Sequence, residues 1–266
     1  MSAPWRHALL DDAAVLAPRS LLLARALAAH APLRRGEQGD AVGGFTVTDR
    51  ELPHLRTGDL PLHLRVTGGA GMLEAALRSL ATSDLGVRRV EIALRDEADL
   101  AHNARRVVQV LDSLEGTAPD VAVHVALPAL DADPTAGWLG ALDELAAREL
   151  GVLLTHAPGP GTAAAIEAAL DRELPLAVVG DGLDDALTAL RAVRVALDGD
   201  GPAAVVAALE DPAAARSWVR DEPEAAGRTR RWCVSTSVPD LAAALADLAG
   251  LVDPADPADA AADGPA

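Results

Sequence analysis

The residues best suited to chemistry in this chain are His63, Arg65, Glu91, Arg95, His124 and His156. His63 and Arg65 are two apart and Glu91 and Arg95 four apart, so each pair lies on one face of an extended strand. Two neutral imidazoles beside a carboxylate could hold Zn²⁺ or a related transition ion, but no two histidines share a tight ligand spacing. The same groups could act as an acid/base pair, with Arg65 or Arg95 gripping a carboxylate or phosphate. The bland alternative is a polar face whose members solvate and hydrogen-bond one another without turnover.

Other motifs carry less. Gly68-Gly69-Ala70-Gly71 sits between a strand and a helix, where anions bind. Glu74 stands where a dinucleotide fingerprint needs its third glycine, so the glycines read as a tight turn. Asp198-Gly199-Asp200-Gly201 lacks the further acidic ligands of a calcium loop and reads as a helix-breaking turn. Asp181, Asp184 and Asp185 open a helix, where carboxylates complement the dipole. Cys233 is the lone cysteine, which excludes an intrachain disulfide and reads as a packed thiol. Arg228, Arg230 and Arg231 read as the solvated start of a strand.

Composition removes whole classes of mechanism. All 23 basic residues are arginines, set against 40 acidic residues for a net charge of −17. Without lysine there is no Schiff base, no pyridoxal-phosphate anchor and no Walker-type loop. Without tyrosine there is no phenolic acid or base. The acidic balance disfavours nucleic acid. No apolar run reaches the ~18 residues of a membrane span. Asp11, Asp12, Arg19 and Arg25 interrupt any leader-like core, so the expectation is a cytoplasmic chain.

These residues need elements to position them. Strands are expected at 44–48, 61–67, 88–95, 121–127, 151–156, 175–179 and 231–237. Helices are expected at 72–80, 96–114 with Asp96 as cap, 137–150, from Thr162 to about 174, from 183 through 210 with a break at 198–201, and 240–251. A short helix over 49–56 and one or two helices over 9–31 complete the pattern. Trp138 and Trp218 read as packing anchors, the latter in an irregular segment.

Strand-then-helix order implies an α/β protein with a parallel sheet. Leu62, Leu64 and Val66 alternate with His63, Arg65 and Thr67, and Val121, Val123 and Val125 with Ala122, His124 and Ala126. A helix-covered face would not take that charge, whereas a barrel interior open at its C-terminal end would. The reading is therefore a (β/α) barrel, incomplete or distorted, with an open doubly wound sheet as the alternative. Residues 1–35 are assigned to a helical extension, 36–252 to the barrel and 253–266 to a disordered acidic tail.

The phrases GGFTVTDRELPHL, PLHLRVTGGAG, HNARRV, LGVLLT, DRELPLAV, LDGDGPAAVVAALED and RRWCVSTSVPDLAAAL resemble an uncharacterised family of actinobacterial proteins over most of residues 40–252. The resemblance implies a (β/α)-barrel type and no established reaction. The family's Lys-x-Arg-Thr-Gly-Gly phrase is replaced here by residues 152–157, its Phe-Lys by Leu176-Ala177, and its Gly-Leu-His-His by Gly182-Leu183-Asp184-Asp185. Its Ser-Cys-Ser phrase reads Ser235-Thr236-Ser237, while Glu91 and Thr155 keep their places. Val152 and Ala177 thus stand where the family carries its two strand lysines.

The expected ligand-binding set is His63, Arg65, Glu91, Arg95, His124, Thr155, His156, Asp181 and Ser235, with a small polar metabolite as partner and no cofactor. One alternative is a degenerate, non-catalytic interaction or regulatory subunit, oligomeric through its N-terminal helices, with an apolar lumen near Val152, Leu154 and Ala177. The other is a metal-assisted or acid/base enzyme using His63, Glu91 and His124.

Overall fold

The structure, a computed structural model, describes residues 3–55, 58–95, 98–117 and 120–252. Eight parallel strands close into a barrel in sequence order: β1 (Leu10–Asp12), β2 (Val42–Thr48), β3 (Gly58–Val66), β4 (Leu85–Ala93), β5 (Ala122–Ala126), β6 (Gly151–Thr155), β7 (Leu176–Val179) and β8 (Cys233–Val238). The doubly wound alternative is thereby excluded, because β1 pairs with both β2 and β8 and leaves no sheet edge.

Seven of these strands coincide with the expected ones. The eighth corrects the reading of residues 9–31 as helices outside the repeat. Leu10–Asp12 is the strand that closes the barrel, and the helix after it, α1 (Leu23–Arg35), begins further on. Three residues are too few to show a period, and two of them are acidic. The expected tail at 253–266 and the expected helix cap Asp96 lie outside the described residues.

The remaining helices are α2 (Ala70–Ala81), α3 (Leu100–Ser113), α4 (Ala136–Ala146), α5 (Pro160–Leu170), α6 (Leu183–Asp198), α7 (Pro202–Glu210), α8 (Pro212–Asp221), α9 (Pro223–Thr229) and α10 (Leu241–Val252). Asp99, whose carboxylate accepts from His102 N, is the cap of α3. Between β2 and β3 the described residues make a 3-10 turn at Leu52–His54 in place of the short helix expected over 49–56. Gly199 ends α6 in the left-handed conformation at φ +79°, as the expected break requires.

Trp218 lies on α8, not in irregular chain. Pro212 and Pro223 each begin a short helix. A proline whose missing N–H is needed by no partner starts a helix as readily as it breaks one.

The core lies between sheet and helices. Phe45, Leu62, Leu64, Ile92, Val125, Val152, Leu154 and Leu176 point outward from the strands and meet Leu73, Leu77, Trp138, Leu142, Ile166, Leu187 and Leu248. With so few aromatics, leucine, valine and alanine do the filling, and Trp138 anchors one side by donating Nε1–H to the Pro128 carbonyl at 3.0 Å. Cys233 is buried, and burial pushes its thiol up to about 11, so it packs as an inert side chain. No helix among the described residues is long and apolar enough to cross a membrane.

Candidate functional site

The alternation that sends leucine and valine outward sends a polar set inward. Registers place Arg65 opposite Glu91 and Glu91 opposite His124 on β3, β4 and β5, and Ala177 opposite Ser235 on β7 and β8. The lumen is therefore filled in its lower part by Asp11, His63, Arg89, Glu91, His124 and Ser235, all buried. Arg89 Nη2 donates to Asp11 Oδ2 at 2.7 Å, its Nε to Glu91 Oε1 at 3.0 Å and its Nη1 to Ser235 Oγ at 2.6 Å. Ser235 Oγ donates onward to Asp11 Oδ2 at 2.5 Å. Arg65 covers this layer from above, giving Nε and Nη2 to Glu91 Oε2 at 2.9 and 2.7 Å.

Two carboxylates and two guanidiniums thus make a neutral quartet. Burial alone would raise the carboxyl pKa values. His63 and Arg89 hold Asp11 well below the usual range, and Arg89 and Arg65 do the same for Glu91. Two histidines complete the layer by packing flat space left by glycines: a Cβ on Gly44 would collide with the His63 ring, and one on Gly151 with the His124 ring. Burial and the nearby Arg89 lower the His124 pKa to about 3, and neither of its ring nitrogens has a hydrogen-bond partner.

This arrangement separates the expected set. His63, Arg65, Glu91 and His124 do share one lumen. Arg95 does not join them; it follows the end of β4, is exposed, and borders a cavity of about 250 Å³ beside Gly69 and Arg106. Ser235 is a buried member of the hydrogen-bonded layer. Thr155, His156 and Asp181 meet at the C-terminal ends of the strands. Val152 and Leu154 face the helices, and the lumenal residue on β6 is Leu153, opposite Ala126 and Ala177. Val152, one of the two positions where the resembled family carries a strand lysine, is thus on the outer face, while the other, Ala177, faces the lumen beside Leu153 and Ala126.

Sequence reading missed Asp11 and Arg89. Arg89 carried a legible signal, since it lies two residues before Glu91 on the same face. Asp11 carried none, because β1 is too short to show alternation. The arginine cluster near the end also reads differently in place. Arg230 is not a solvated charge but donates to the carbonyls of His7, Ala8 and Cys233, tying the N-terminal segment to the start of β8.

At the C-terminal mouth, where barrel enzymes and binders place their ligands, a cavity of about 160 Å³ opens between β1, β3, β6, β7 and β8. Arg65, Thr155, His156, Asp181, Asp185 and Ser237 are on its walls. The Ser237 hydroxyl is completely buried and has no partner. His156 donates Nε2–H to Thr188 Oγ1 at 2.9 Å: that hydroxyl spends its own proton on the Asp184 carbonyl, also 2.9 Å away, and so can only accept from the ring. His156 Nδ1 lies 3.3 Å from Asp185 Oδ1, while Asp185 Oδ2 accepts from Asp181 N at 2.7 Å. Burial lowers the His156 pKa below that of a free imidazole against the pull of Asp185 and Asp181.

A larger cavity, about 630 Å³, lies at the opposite end of the strands against Leu77, Leu111, Leu114 and Leu150. Its lining arginine, Arg148, is already paired with Asp112 and Glu115, and it lies at the end of the strands away from where barrels place their ligands, so the smaller mouth cavity is the better candidate. No cluster of three or more metal-ligating side chains occurs among the described residues. Comparison of the chain with protein-family models, curated proteins and solved structures found no match.

Proposed function

We propose that this barrel binds a small polar metabolite at its C-terminal mouth. The observation that carries this is the Ser237 hydroxyl, fully buried and unpartnered on the wall of the mouth cavity. Leaving such a group unsatisfied costs about 1–3 kcal/mol, which a ligand oxygen or nitrogen would recover. Arg65 supports the same reading: two of its N–H groups are committed to Glu91, and the guanidinium has further donors to offer a ligand. At about 160 Å³ the cavity is below the ~300 Å³ of drug-sized sites, which suits a compound of a few non-hydrogen atoms.

The lower lumen serves this site as its floor. Glu91 is held by Arg65 and Arg89, and His124 is sealed from solvent, so neither is placed to exchange protons with a ligand. We take the chain to be a divergent relative of the actinobacterial family it resembles, cytoplasmic, and binding without the strand lysines of its relatives.

Ligand-observed NMR with mixtures of small hydroxy acids, amino acids and polyols tests the reading. Thr155 is exposed on the cavity wall, so Thr155→Tyr fills the space without touching the core. Binding seen with the wild type and abolished by Thr155→Tyr, at unchanged melting temperature, is the expected result. Binding that survives the substitution places the site elsewhere.

A further inference from the structure

The mouth cavity is asymmetric in charge and in hydrogen-bonding character. On one wall, Arg65, Thr155 and Ser237 offer donors. The Arg65 charge is already matched by Glu91 at 2.7 Å. On the other wall stand two carboxylates, Asp181 and Asp185, with no cation paired to either among the described residues apart from the approach of His156. The tautomer fixed by Thr188 puts the proton of a neutral His156 on Nε2 and leaves Nδ1 a bare acceptor. Nδ1 and Asp185 Oδ1 are then two acceptors 3.3 Å apart beside the same cavity, with no hydrogen between them. Such a pair calls for a donor from outside the chain.

A metal ion is a poor candidate for that donor's place, since fewer than three ligating side chains converge there. A protonated amine suits it: a compact cation with three N–H donors can give one to the imidazole nitrogen and one to the Asp185 carboxylate, with the charge of Asp181 on the same wall. The opposite wall then requires an oxygen acceptor on the same small molecule.

We propose that the ligand of the mouth cavity is a small amino compound, its ammonium group bound by His156 Nδ1 and Asp185 and its hydroxyl or carboxylate oxygens bound by Arg65 and Ser237. This rests on the reading of the mouth as a polar-ligand site and names the ligand's chemical class.

L-serine and L-glycerate separate the two levels, because they differ only in an amine replaced by a hydroxyl. Titration calorimetry on the full chain is expected to show serine binding at least tenfold tighter than glycerate. Asp185→Asn keeps the acceptor for Asp181 N but removes the charge, and is expected to weaken serine by tenfold or more and to close the gap between serine and glycerate. Thermal melting checks that the variant folds. Equal binding of the two compounds, or tighter binding of glycerate, overturns the amine assignment and leaves the polar-ligand site standing. Serine binding that Asp185→Asn does not weaken also overturns it. Absence of binding by both compounds in the millimolar range counts against the mouth as a site for ligands of this size, and so against both readings.

Discussion

Arg89 and Asp11 belong to strands that are not neighbours, yet Arg89 Nη2 and Asp11 Oδ2 meet at 2.7 Å across the barrel lumen. The contact joins β4 to the strand that closes the sheet, and the guanidinium also holds Glu91 and Ser235. Replacing Arg89 with Met is expected to cost about 3–5 kcal/mol, because two buried carboxylates lose their shared cation. Adding Asp11→Asn to that variant should restore part of the loss. Urea unfolding of the two single variants and the double variant checks this; strictly additive effects would mean that the pair is not coupled.

Acid should weaken the fold through the same layer. In the folded chain His124 has its pKa lowered to about 3 from 6.5, so below about pH 6.5 the unfolded chain takes up a proton that the folded chain refuses. Stability should therefore fall as pH drops from about 6.5 toward 3, by about 1.4 kcal/mol per pH unit for this group. Asp11 and Glu91, both lowered, contribute stability that is fully present above their ordinary values of 3.8 and 4.5 and is lost progressively as pH falls below them. Urea midpoints followed across this range in the wild type and in His124→Leu should differ in slope by one proton. Equal slopes would show that His124 ionises freely.

Glycine is required opposite the lumenal rings for steric reasons. Gly151→Ala should cost about 1–3 kcal/mol, since the new methyl overlaps the His124 imidazole. His124→Ala in the same chain should remove most of that cost by vacating the space. Thermal melting of the three variants reads the outcome.

Arg230→Met tests the tie at the N-terminal end. Three carbonyls, of His7, Ala8 and Cys233, would lose a charged donor worth about 1.5–3 kcal/mol for each net bond, less what water recovers. Cleavage by a nonspecific protease should then appear first ahead of β1. Protection equal to the wild type would mean that the segment is held by Trp5 and its apolar neighbours instead.

Ser237→Ala is expected to leave stability unchanged or slightly raised in the free protein, because it removes a buried hydroxyl without a partner. The same substitution should weaken whatever occupies the mouth. A clear loss of stability in the free chain would show instead that an internal partner satisfies the hydroxyl.

The barrel was legible because charged residues alternate with leucine and valine on successive strands, a pattern that a sheet covered by helices on both faces would not tolerate. His63, Arg65, Glu91 and His124 followed from that alternation. Arg95 was carried along by parity beyond the point where β4 stops, and parity has no meaning past a strand's end. Asp11 was hidden because its strand has three residues. His156 and Asp185 were visible as types, but their pairing depends on how the turn after β7 folds back on the end of β6, a tertiary fact without a local signature.

The seam of the barrel has a consequence for synthesis. β1 is the first of the eight strands to leave the ribosome, whereas its partner β8, ending at Val238, is the last of them. Until then Asp11 lacks Ser235, and the sheet has an open edge on each side. The nascent chain must therefore carry its first strand half-paired until the last of the eight has been made, and ring closure is the final step in assembling the sheet.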